Sequence, residues 1–165
     1  RQRLVGVGFI SEGFDSGSYY QRLPDSHDPR AAFIFDGVPE EIIGDFGAFG
    51  GAAALELDII DHKVGTPPHA LHLAKSEGHS NVYIEAQGEI AANHPGMDGI
   101  ESPLIRADLV FFETRNGGAV FSTGSIGWAG SLAHNGYDNN VSRITANVVR
   151  RFIAPTPFPS PGKSQ

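Results

Sequence analysis

The chain has 165 residues, 40% hydrophobic and 19% charged, which is enough for one ordinary domain with a real core and unlike a disordered segment. A net charge of −7 lacks the concentrated Lys/Arg surface that phosphates require, so neither nucleic acid nor an anionic membrane surface is a partner. There is no Cys, hence no disulfide, thiolate nucleophile or Cys-held metal.

No apolar run approaches the roughly 20 residues that span a bilayer, and no signal region opens the chain, so a soluble, cytoplasmic protein is expected. Arg1-Gln2-Arg3 carries no initiator Met and leads at once into the Gly-spaced apolar run from Leu4 to Ile10. That run predicts a buried strand and reads as the middle of a larger fold, so the chain is expected to be a piece of a larger subunit. Residues 11–30 predict a long loop, Ala31 to Phe35 a short strand, and Pro39-Glu40-Glu41 the first turn of a brief helix ending before Gly44. Gly44 to Gly51 is a glycine-rich turn entering a small-residue segment. Residues 70–75 and 81–85 alternate well enough for strands, and 88–103 reads as a surface loop. Leu109 to Thr114 and Ala119 to Thr123 are the clearest strands, joined through Arg115-Asn116-Gly117-Gly118, where Asn-Gly accepts the positive φ of a tight hairpin.

A final helix is predicted from Asn139 or Asn140 to Phe152, with Val141, Ile144, Val148, Val149 and Phe152 on one face and Arg150-Arg151 at its negative end. The prolines at 155, 157, 159 and 161 stop it. The organisation expected is therefore one domain over residues 1–153 and a Pro-rich extended tail over 154–165. Strands leading into a closing helix indicate an α/β or α+β layered packing, and periodicity does not choose between them.

Seven His invite a metal reading. However, His69 and His72 point to opposite faces of a strand, and no H-x-H, H-x-E or H-E-x-x-H pattern occurs. Glu77-Gly78-His79-Ser80 places an acid, an imidazole and a hydroxyl on a loop, but adjacent residues rarely form a nucleophile–base contact, and Thr123 spoils a G-x-S-x-G elbow around Ser125. Glu56-Leu57-Asp58 follows the glycine-rich turn, where a carboxylate beside an apolar wall can serve proton transfer; the plainer reading is a helix cap or a solvated acid. Gly44 to Gly51 lacks the Lys-Ser/Thr of a phosphate loop. Trp128 and the polar run His134 to Asn140 form the densest polar-aromatic cluster, with a helix cap as its structural task.

Longer strings are more specific. Gly117 to Leu132 (GGAVFSTGSIGWAGSL), His134 to Val148 (HNGYDNNVSRITANV), Gly65 to Leu71, Ser76 to Ser80 and Arg3 to Phe9 together resemble the C-terminal region of the N,N-dimethylformamidase large (β) subunit family. The resemblance implies a glutamine-amidotransferase-like α/β domain within a large subunit, which pairs with a small (α) subunit and with other large subunits. It implies hydrolysis of dimethylformamide, or a related small amide, to amine and carboxylate. It further implies a mononuclear iron held by tyrosine and a His-x-Glu pair upstream of this chain, so no iron ligand falls here. By the same resemblance Glu56 is the candidate catalytic carboxylate, orienting or deprotonating the attacking water; the loop at His79 and the polar-aromatic cluster at Trp128 make those two residues the candidate substrate contacts. A non-catalytic assembly domain and a free-standing serine hydrolase using Ser80 or Ser125 are the competing readings.

Overall fold

A computed structural model describes residues 2–87, 90–91 and 96–161. The chain opens with one helical turn, α1 (Gln2–Val5), followed by β1 (Gly8–Ser18), β2 (Tyr20–Arg22), β3 (Ile42–Ile43), β4 (Ala53–Ile59), β5 (Leu71–Ser76) and β6 (Ile84–Gln87). Then come β7 (Ile90–Ala91), β8 (Asp108–Glu113), β9 (Ala119–Ser122), α2 (Gly127–Ser131) and α3 (Asn140–Phe152). The strands form a four-stranded sheet in the order β4-β1-β6-β7 and a five-stranded sheet in the order β3-β2-β5-β8-β9. Every pairing among the described residues is antiparallel, so this is a mixed α and β chain with antiparallel sheets. Among the described residues no helix is long and apolar enough to cross a membrane.

Four expectations from sequence need correction. Residues 2–5 form a helical turn rather than the start of a strand; Gly6, at φ 84°, breaks it and returns its N–H to the Gln2 carbonyl, and β1 begins only at Gly8. Residues 11–18 are strand rather than loop. Their turn-forming composition serves tertiary contacts instead, because Ser11 Oγ donates to the Ile84 carbonyl (2.8 Å) and Ser18 Oγ to the Glu77 carbonyl. Ala31 to Phe35 is not a strand but a series of tight turns started by Asp28-Pro29. The Asp28 carboxylate accepts from the Arg30 N–H (2.8 Å), and Ile34 is turned into the core. A five-residue apolar run carries no period that could have distinguished the two. The brief helix after Pro39 is absent, and Ile42–Ile43 pairs with β2 instead. Within the expected surface loop, 88, 89 and 92–95 lie outside the described residues, as do 162–165 of the Pro-rich tail.

The hairpin of β8 and β9 and the terminal helix form where the sequence predicts them. Asn139 caps α3 by accepting the Ser142 N–H (2.9 Å), and Val141, Ile144 and Val148 enter the core, each contributing roughly 1.5–3 kcal/mol of apolar burial. One core serves both sheets. Leu57 from β4 and Tyr83 before β6 join Tyr20, Leu73, Leu109 and Phe111 from the larger sheet, with Trp128 and the α3 face closing it. β1 and β2 are almost continuous, so a single stretch of chain passes from one sheet into the other, and a bridge between Leu57 and Ser125 ties the sheets again at the β9–α2 link. Residues 154–161 run without regular structure but fold back. The Phe158 N–H reaches the Gly117 carbonyl, and its ring lies against Phe33, Phe111 and Phe152.

Candidate functional site

A cleft of about 330 Å³ opens where β4 runs beside the β9–α2 link. Val5, Val7, Phe121 and Ile126 form apolar walls, and Glu56 and Asp58 supply the carboxylates. Alternation along β4 places these two acids on one side while Leu57 between them is sealed in the core. The opposite rim is fixed by Gly124. At φ 66° its carbonyl accepts the Asp58 N–H (2.7 Å), and a Cβ there would lie 2.6 Å from the Asp108 carbonyl, so no other residue fits.

Two local rules are broken beside Glu56. Leu55 takes φ 69°, a left-handed conformation that costs a branched side chain of order 1–3 kcal/mol. Glu56 also stands directly across from Glu12 on β1, and like charges in register repel. Such violations, stacked at one point of an otherwise regular strand, are characteristic of functional positions.

The hydroxyls of the serine-hydrolase reading are occupied elsewhere. Ser125 Oγ donates to the Ala54 carbonyl (2.7 Å) and accepts the N–H groups of Ala54 (2.8 Å) and Gly127 (3.1 Å), a purely architectural set. Ser80 Oγ donates to Asp15 Oδ2 (2.6 Å). His79 instead meets Ser76, whose Oγ lies 2.7 Å from Nε2 and also accepts the Ala107 N–H (2.7 Å). The other ring nitrogen of His79 is Nδ1. Among the described residues no group partners that Nδ1, so no acid stands behind the imidazole. Burial lowers the His79 pKa to about 4, and the ring is neutral at pH 7. It is only 3% exposed and lies 4.7 Å from the Tyr83 ring.

Trp128 is likewise in the core. Its Nε1 donates to Thr145 Oγ1 (3.0 Å), and its ring meets Tyr20 and Phe121 edge-on at 5.7 and 6.4 Å between centroids. It reaches the cleft only by backing Phe121. Tyr20, fully buried, donates to the Thr123 carbonyl (2.6 Å); burial, and then the nearby Asp108, hold its pKa well above the usual phenol value.

A second polar centre, not singled out in the sequence, is the buried Asp108. Arg106 grips it through Nε (2.9 Å) and Nη2 (3.2 Å), and the Ile60 N–H donates to Oδ2 (2.9 Å). His72 Nε2 stands 2.9 Å from Oδ1, close enough to pair but off the line of a straight hydrogen bond. Burial pushes this carboxyl up, but His72, Arg106 and the Ile60 amide together pull it below the ordinary Asp value. Every oxygen is used, which makes the centre structural. His69 turns away to the Glu113 carbonyl (2.9 Å), so the His69/His72 pair is not brought together. Among the described residues no three His, Asp or Glu side chains converge as a metal site.

A larger groove of about 510 Å³ lies along α3, lined by Tyr137, Asn139, Arg143 and Val149 among others. Tyr137 on its rim also takes a left-handed φ of 70°, but its only carboxylate is Asp138, so the cleft with two carboxylates on one side of β4 is the better candidate for chemistry.

Residues 1–139 match the family described as N,N-dimethylformamidase beta subunit-like, C-terminal. Two proteins named N,N-dimethylformamidase beta subunit, from Paracoccus aminophilus and Alcaligenes sp., are 51% and 50% identical to this chain over 160 residues. The match covers 96% of this chain and 21% of each relative, so the chain spans about a fifth of the length of the curated relatives it matches.

Proposed function

The chain belongs to the N,N-dimethylformamidase beta subunit-like, C-terminal family, and on that premise we propose that it is the C-terminal part of an amidohydrolase large subunit. The substrate class is N,N-dimethylformamide or a related small amide, cleaved to amine and carboxylate. The observation that carries this reading is Glu56, held on a strained strand at the mouth of an apolar-walled cleft. Water adds to the amide carbonyl carbon, the C–N bond breaks, and a proton must move from the water to the departing nitrogen. A carboxylate at Glu56 is suited to accept that proton or to orient the water that carries it. Val5, Val7 and Phe121 offer the dry wall that N-methyl groups prefer.

Trp128 acts from behind this wall through Phe121, while His79 lies outside the wall, against Tyr83. The iron implied by the resemblance is assigned to ligands upstream of this chain, and the chain itself to the C-terminal portion of a glutamine-amidotransferase-like α/β domain. The subunit pairs with an α subunit, as the name of its relatives suggests, and on the resemblance that α subunit is small and further large subunits join the assembly. A purely assembly role has its own support in the outer side of α3, where Val149 and Ile153 are exposed.

Glu56→Gln separates the two. In the full-length subunit, assembled with its partners, the substitution should lower kcat for dimethylformamide by about a hundredfold or more, since general acid–base groups contribute 10²–10⁴. The assembled mass should not change. Unaltered turnover in a correctly assembled variant would remove Glu56 from the chemistry and leave the assembly role.

A further inference from the structure

Tyr83 is fully buried, yet its hydroxyl is directed at backbone rather than at another side chain. It accepts the Leu55 N–H (3.3 Å) and donates to the Asp15 carbonyl (3.2 Å). The position has a clear cause in the sheet. β1 and β4 are in register at Gly13 and Leu55 and meet again only at Ser18 and Ala53, so residues 14–17 bow out opposite Ala54 alone. Asp15 has no register partner on β4 there, and the phenol oxygen joins its carbonyl to the Leu55 N–H. Gly13 makes room for the ring: a Cβ at that position would lie 2.7 Å from Tyr83 ring carbons. On its other side the ring is backed by His79. Burial raises the phenol pKa, so the proton needed for donation to Asp15 is retained.

We propose that Tyr83 is a positioning residue for Glu56: its hydroxyl bridges the gap between β1 and β4 and holds Leu55 in the left-handed conformation from which Glu56 is aimed into the cleft. The inference rests on the reading of Glu56 given above. Leucine does not adopt φ 69° readily, whereas glycine does so at little cost. The hydroxyl therefore does for Leu55 what a glycine would do unaided, and this makes the role separable from simple core packing.

The test is a double-mutant cycle on dimethylformamide hydrolysis by the full-length assembled enzyme: wild type, Tyr83→Phe, Leu55→Gly and the pair, with Glu56→Gln alongside. Tyr83→Phe keeps the ring and its packing and should lower kcat about tenfold with KM within about twofold, as small misplacements of a reacting group do. In the Leu55→Gly background the same substitution should cost less than about twofold, because the backbone no longer needs the bridge. Equal losses in both backgrounds, or no loss in either, overturns the proposal. If Glu56→Gln is silent, the reading of Glu56 fails; if Glu56→Gln abolishes turnover while Tyr83→Phe is silent, only the bridge fails. Hydrogen exchange on the wild-type complex gives a second readout that needs no variant to fold. Slow exchange at the Leu55 amide is expected, and exchange at the rate of an open amide overturns the proposal.

Discussion

At the scale of single residues, the chain spends buried polar groups on holding backbone in place. His79, by contrast, shows what burial does to an ionisable ring. Its folded pKa, lowered by burial to about 4, lies below the 6.5 of a free imidazole, so the unfolded chain takes up the proton first as pH falls. The stability contributed by the neutral ring is complete above pH 6.5 and is lost as pH drops toward 4. Between pH 6.5 and 5 the loss should reach about 2 kcal/mol, at 1.36 kcal/mol per unit. Urea unfolding at several pH values should therefore show a steeper acid decline in the wild type than in His79→Gln, and equal slopes would refute the assignment. Asp108 contrasts with it: its arginine clamp keeps it charged, and a group so fully paired has nothing left to offer a substrate.

At the scale of elements, what was legible in the sequence is what rests on local chemistry. The β8–β9 hairpin follows from Asn116-Gly117, and α3 from its apolar spacing and its cap. Asn139 also donates through Nδ2 to the carbonyls of Leu132 (3.1 Å) and His134 (2.7 Å). Asn139→Ala should therefore cost about 1–2 kcal/mol, at the upper end for a cap, read as a fall in thermal midpoint. β1 was illegible because its serines, glycines and acids match a loop in composition, and only distant partners give them a strand's work. Ala31 to Phe35 failed for the opposite reason, an apolar run too short to carry a period. The site divides in the same way. Glu56 could be singled out from its place after the glycine-rich turn and from the resemblance, but its strand, the positive φ of Leu55 and the bridge from Tyr83 exist only once three separated segments meet.

At the scale of the whole molecule, both sheets and α3 draw on one core, and the C-terminal segment seals one part of it. Phe158 sits among three other phenylalanines, with the Arg151 guanidinium 3.7 Å above its ring. Phe158→Ala should destabilise the chain by about 2 kcal/mol, less than the 3–5 of a fully enclosed Phe because this ring is only partly buried. It should lower the midpoint of a single cooperative transition rather than create a second one, and a separate early transition would show that the tail is an independent layer. The strand that joins the two sheets also sets a timetable. β1 finds its first long partner at Ile59, Leu57 and Glu56, and its second at Ile84 and Glu85. A ribosome adding about 5–20 residues per second leaves β1 unpaired for roughly two to eight seconds before β4 is made. The Ser, Glu, Asp and Gly that disguise β1 as a loop keep that waiting edge hydrated, and so protect the nascent chain from pairing with its neighbours.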